Sequence, residues 1–341
     1  MELSKIKVGA IGSESVYSYR LSNSKGLTLV LLSYGATAME LWAPDQDGKR
    51  ENILLSVTDW EDYRKYRPFY GSAVGPVAGR IAGGRFVLED RTVDVEKNEG
   101  ENHLHGGSKG WDTQVWHAET SLNEEEAAVQ FSLPVKEGAG EYPGKVQTQI
   151  RYTLTDANEW KIEYTATTDQ PTLLNPTNHV YFNLSGNNRS IRDQFLFVDS
   201  SRVLELGEGN IPTGKLLDVT GTSFDFRERK KISEALGSTH PQIKLANGLD
   251  HAFLVDSHKN GPIAALEDLV SGRSLEVTSD RPSVVIYTHN HAFPERGISP
   301  YSGIAFETQA IPNAIHFPSF KESVILRPNE TFQSKTVFTL R

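Results

Sequence analysis

The sequence predicts an all-β protein, a large antiparallel sandwich with few short helices. Three observations carry that expectation. Short runs of alternating polar and apolar residues recur along the chain, and Gly, Asn, Asp and Ser turns separate them. Strands do not alternate with long amphipathic helices, so a doubly wound fold is not expected. No Ser/Gly tract, Pro-rich spacer or long charge block interrupts the 341 residues, and one domain over 1–341 is expected.

Residues 28–32 read as a buried strand closed by Tyr34 and Gly35. A short helix is expected from Thr58, because Thr58 and Glu61 have capping-box spacing and Trp60, Tyr63 and Tyr66 share one face. Residues 147–154 and 161–166 alternate as strands of a sheet with one wet face, and Asp156-Ala157-Asn158 turns between them. Further turns are expected at Ser185-Gly186-Asn187, Asn247-Gly248 and Ser271-Gly272, with a single helical turn at 232–236. Residues 275–278 and 335–340 supply two more alternating strands.

Composition excludes several functions. Net charge is −9, with 35 Lys and Arg against 44 Asp and Glu, so no basic field exists to hold nucleic acid or an anionic membrane. Cysteine is absent, which removes disulfides, thiolate catalysis and sulfur-based zinc sites. Apolar stretches such as 27–32 and 284–287 are strand-sized, and residues 1–15 lack a signal-peptide core. A cytoplasmic protein is expected.

Four polar clusters lie among the strands. Gly79-Arg80-Ile81-Ala82-Gly83-Gly84 has no phosphate-loop spacing and by itself reads as a turn with a surface arginine. Asn102-His103-Leu104-His105-Gly106-Gly107 is the second. In the third, Asn175-Pro176-Thr177-Asn178-His179-Val180-Tyr181-Phe182-Asn183-Leu184, His179 reads either as an oriented neutral imidazole or as a hydrogen-bonded core residue. The fourth joins Gly248-Leu249-Asp250-His251-Ala252-Phe253 to Phe306-Glu307-Thr308-Gln309-Ala310. Glu307 follows the apolar run Ile304-Ala305-Phe306, and desolvation there strengthens a carboxylate as a base; the alternative is a salt-bridged strand end.

Two histidine pairs have a spacing that bears on metal binding. His103 and His105 are two apart, which on a strand puts both rings on one face. His289 and His291 are too, and Glu295 completes a cupin-like spacing. The glycines flanking that motif are replaced by Ser283 and Ser302, so no metal is expected. Asp250 and Glu307 also permit a glycoside hydrolase, and a non-catalytic sugar-binding module is a further alternative.

Taken in order, residues 79–82, 102–107, 177–184, 248–253 and 307–314 resemble the aldose 1-epimerases, or galactose mutarotases. The resemblance implies a β-supersandwich with a sugar-binding cleft, no cofactor, a small-molecule sugar substrate, and a monomer or homodimer. It implies Glu307 as the base taking the anomeric hydroxyl proton and His179 as the acid at the ring oxygen. His105 and Arg80 would hydrogen-bond the ring oxygen and neighbouring hydroxyls, Asp250 would hold hydroxyls, and Tyr181 would lie nearby.

The chemistry suits these residue types. Anomer exchange breaks the bond from C1 to the ring oxygen, turns the aldehyde and recloses it. One group must give a proton while another takes one. Three positions depart from the family pattern: Gly79 stands for asparagine, Val285 for glutamine and His289 for glycine.

Overall fold

The computed structural model describes residues 1–134, 139–186, 189–256, 261–293 and 297–341. Among them, three large antiparallel sheets carry the fold. The first is a five-stranded meander from Glu2–Ile11 to Arg50–Asn52. A nine-stranded sheet includes Val146–Thr155, Glu159–Thr168, Phe332–Leu340 and Ser274–Ser279 as neighbours. A six-stranded sheet runs Tyr181–Phe182, Ile304–Gln309, Ser283–Tyr287, Asp250–Leu254, Arg202–Leu206, Pro212–Asp218.

Alternation explains how the sheets stack. In Glu159–Thr168 and in the first six residues of Val146–Thr155 every second side chain is buried, because one face packs and the other meets water; from Tyr152 to Thr155 both faces are covered. Trp160 and Phe338 of the nine-stranded sheet meet Phe182 of the six-stranded sheet, with ring centroids 6.2 and 5.0 Å away. Phe306 extends that contact. The same core takes Tyr19, Leu29 and Leu31 from the meander, and Tyr19 lies edge-on to Phe131 at 5.8 Å. One hydrophobic cluster therefore reaches from Tyr19 to Leu340.

Strand expectations match where alternation was strongest. Thr28–Leu32 is a fully buried strand, and the runs at 147–154, 161–166, 275–278 and 335–340 lie inside longer strands. The helix spans Trp60–Tyr66, with Trp60 and Tyr63 buried, but its cap is Asp59 rather than Thr58: Asp59 accepts from the Glu61 backbone N–H at 3.0 Å. Ile232–Leu236 forms the expected turn of helix, and Pro241–Ala246 adds a helix not anticipated. Of the turn at 185–187, Asn187 lies outside the described residues.

Candidate active site

Side chains that alternate along the six-stranded sheet send one set into the core and the other into a cleft of about 360 Å³, within the usual size of a small-molecule site. Ladder pairing arranges the cleft face in rows. Tyr181 pairs with Ala305, Ala305 with Tyr287, and Tyr287 with Asp250. One step along, Glu307 pairs with Val285 and Val285 with Ala252. Phe306, Ile286 and Phe253, one residue out of phase, face the core.

Loops close the cleft from above. The segment after the short helix reverses sharply, with Arg67 at φ 47°, Phe69 at 61° and Gly71 at 69°. Side chains seldom occupy that left-handed region, and here it is held from both sides. Arg67 makes a bidentate pair with buried Asp112, 2.5 and 2.8 Å, and its guanidinium lies 4.9 Å over the Phe69 ring. Gly71 N–H donates to the His179 carbonyl, and His179 N–H donates to Ser72 O. Phe69 thereby stacks against His179, with centroids 6.1 Å apart.

All six site residues expected from the sequence line this one cleft: Arg80, His105, His179, Tyr181, Asp250 and Glu307. His179 Nε2 stands 3.5 Å from Glu307 Oε1, and both side chains are about 95% buried. Burial pushes His179 down to about 4, with His289 adding to the fall and its own backbone opposing it. Burial pushes Glu307 up to about 8; Asp250 adds to the rise and Arg80 opposes it. The desolvation expected from the apolar run before Glu307 is therefore present.

Gly79 fixes His105. Its carbonyl accepts from the His105 backbone N–H, and its own N–H donates to His105 Nδ1 at 3.1 Å. With Nδ1 accepting, the neutral ring carries its proton on Nε2 and offers a donor to the cleft. Burial and the neighbouring His179 hold His105 well below the usual histidine range. Gly79 itself needs to be glycine here: its φ is 74°, and a Cβ would come within 2.7 Å of Pro312 Cβ.

Arg80 is not a surface arginine, because Glu99 grips it through two hydrogen bonds, Nε to Oε2 at 2.6 Å and Nη2 to Oε1 at 2.8 Å. Its remaining Nη1 is 3.7 Å from Asp250 Oδ2. Burial raises Asp250 to about 6 against the pull of Arg80.

The His103 and His105 pair does not keep the same-face geometry, whereas His289 and His291 both line the cleft. The strand at His103 is two residues long, and His105 turns out of it at φ 52°. His103 stays in the core, bonded to Glu96 O and the Tyr142 hydroxyl, while His105 enters the cleft. His289 at φ 46° bonds Tyr70 through Nε2 at 2.8 Å, and Glu295 lies outside the described residues. Val285 places an apolar side chain directly beside Glu307.

Several cleft residues escaped sequence reasoning. Phe69 and Tyr70 belong to no periodic run, and Glu99 matters only through its grip on Arg80. Gln309 was within reach, since it lies two positions beyond Glu307 on the same strand and so shares its face.

The sequence pattern of the family described as Aldose 1-epimerase matches residues 17–339. The chain is 34% identical over 327 residues to the maltose epimerase of Levilactobacillus brevis, covering 95% of each. It is 34% identical over 326 residues to the aldose 1-epimerase of Escherichia coli, covering 93% of each. The crystal structure of galactose 1-epimerase from Lactobacillus acidophilus is similar with a TM-score of 0.91 at 33% identity, covering 100% of this chain and 99% of that one.

Proposed function

The chain belongs to the aldose 1-epimerase family, and from that premise we propose that it interconverts the α and β anomers of a free aldose by proton exchange between His179 and Glu307. The observation that carries this reading is the 3.5 Å approach of an imidazole and a carboxylate at the floor of a polar cleft.

Glu307 takes the proton from the C1 hydroxyl as the C1–O5 bond breaks and the carbonyl forms. His179 delivers a proton to O5, leaving an open-chain aldehyde. Rotation about C1–C2 presents the other face, and reclosure reverses both transfers, so the pair ends as it began. Burial makes His179 a strong acid once protonated and Glu307 a strong base once ionised; between about pH 4 and 8 the pair holds one proton that rests on Glu307, so opening proceeds from the minor form with that proton on His179. His105 Nε2–H and Arg80 supply donors to sugar oxygens, and Asp250 accepts from hydroxyls. Tyr181, raised by burial and kept neutral, closes the wall beside His179 at a 4.9 Å ring separation.

The sugar itself is read from the floor. Val285 and Ala252 extend an apolar strip from Glu307, so the ring edge lying there gains contact area and no hydrogen bond. Hexoses and the reducing-end glucose of maltose both satisfy this, the second suggested by the L. brevis relative. Polarimetry of freshly dissolved α-galactose, α-glucose and maltose tests the function: rotation relaxes faster than in buffer for at least one, and equal relaxation for all three rejects it.

A further inference from the structure

Behind the cleft lies Arg281, a buried cation with no part in the chemistry above. Arg281 is 9% exposed, its guanidinium lies 5.1 Å over the Phe332 ring, and its Nη2 donates to Asn175 Oδ1 at 2.9 Å. The chain of contacts continues inward. Asn175 Nδ2 donates to Gln309 Oε1 at 3.2 Å, and Gln309 Nε2 reaches Glu307 Oε2 at 3.4 Å.

The direction of this chain is forced. A guanidinium has donors only, so whatever faces it must accept, and Asn175 turns Oδ1 to Arg281. The Ala310 backbone sets the same sense from both ends: its N–H donates to Oδ1 at 2.9 Å, and its carbonyl accepts from Asn175 Nδ2 at 3.0 Å. Asn175 must then present its amide N–H₂ to Gln309, which can accept only through Oε1. Gln309 is left with Nε2 pointing at the carboxylate. Reversing either amide would set two donors or two acceptors face to face in a buried space.

We propose that Arg281 is a positioning residue for the catalytic base, acting with the Ala310 backbone: together they fix the sense of the Asn175 and Gln309 amides, which gives Glu307 Oε2 an N–H donor and leaves Oε1 to His179 and the sugar. The inference rests on Glu307 being the base. The donor steadies the ionised carboxylate that the reaction requires. Other titratable or charged groups around Glu307 are His179, Asp250, Arg80, Tyr181 and Tyr287, and none of them faces the Gln309 amide in a hydrogen bond among the described residues.

Three variants separate positioning from structure. Asn175→Asp keeps the shape and gives Arg281 a carboxylate, yet cannot donate to Gln309, which is then free to turn Oε1 toward Glu307. Gln309→Met removes the donor outright. Arg281→Met removes the side-chain anchor and leaves the Ala310 backbone, and Arg281→Lys restores a donor-only cation. Mutarotation is followed by polarimetry from pH 4 to 10, with melting curves alongside.

Asn175→Asp and Gln309→Met are expected to lower kcat about tenfold, with KM changed less than about twofold. Losing the donor favours neutral Glu307, so the alkaline limb of the profile moves up by about half a unit to one unit. Arg281→Met moves the limb the same way but by less, because the Ala310 backbone still holds Asn175, and Arg281→Lys recovers most of that change. An unmoved limb in both Asn175→Asp and Gln309→Met overturns the proposal, whatever the melting curves do. Absence of mutarotation in the unaltered protein would instead reject the epimerase reading.

Discussion

Replacing Glu307 by glutamine is expected to lower activity by about 10²–10⁴-fold and to stabilise the protein, increasingly so as pH rises. Burial holds the Glu307 carboxyl near 8 in the fold, against 4.5 for an ordinary glutamate. A group raised by folding binds its proton more tightly in the native state. Its favourable contribution is complete below pH 4.5 and is lost as pH rises through about 8. The gap of about 3.5 pH units, at about 1.4 kcal/mol each, sets a ceiling of about 5 kcal/mol at pH 9. At pH 5 most of the penalty is absent, and less than about 1 kcal/mol separates the two proteins. For 341 residues the unfolding entropy is about 0.7 kcal/mol per degree, so the variant should melt about 7 °C higher at pH 9 and about 1 °C higher at pH 5. Paired melting curves by circular dichroism across that range provide the assay. A difference in Tm independent of pH, or a variant less stable at pH 9, would refute the claim that the carboxylate is held desolvated.

The shared proton makes the pH profile bell-shaped. Below about 4 the pair carries two protons and lacks a base, and above about 8 it carries none and lacks an acid, so kcat/KM from initial polarimetric rates should fall on both sides. Asp250→Asn removes a charge that raises Glu307, so the alkaline limb should move down by a few tenths of a unit. The same variant weakens sugar binding, and KM should rise about tenfold in initial-rate titrations. Phe338→Ala opens a cavity between Trp160 and Phe182, none of which lines the cleft. It should cost about 3–5 kcal/mol in urea unfolding while kcat at 25 °C stays unchanged.

Much of this architecture was legible because one physical rule dominates it. Sheets with one wet face imprint period-two alternation, and the strands at 147–154 and 161–166 were read from that alone. The polar clusters were legible because amide-rich and histidine-rich stretches interrupt otherwise ordinary strands. What stayed hidden depends on backbone conformation. Arg67 and Phe69 adopt left-handed φ values, and His105 does the same, sending it to the cleft while His103 remains in the core. None of these residue types announces such a conformation. Asp59 displaced Thr58 as the helix cap through competition between adjacent acceptors, which spacing does not resolve. The helix Pro241–Ala246 did carry signals, a proline at its start and Asn247 in the left-handed cap, but six residues are too few for periodicity. Arg281 looked like any charged residue, and only the fold shows it buried beside Asn175.

The central claim is that residues 179 and 307 pass a single proton between them and a bound pyranose. A double-substitution cycle on kcat/KM for mutarotation tests it most directly, using His179→Gln, Glu307→Gln and both together. Each single change should cost about 10²–10⁴-fold, and the double should cost no more than the worse single, because a proton exchange with one end missing cannot lose its other end again. Losses that multiply, or a single variant that keeps full activity, would contradict it.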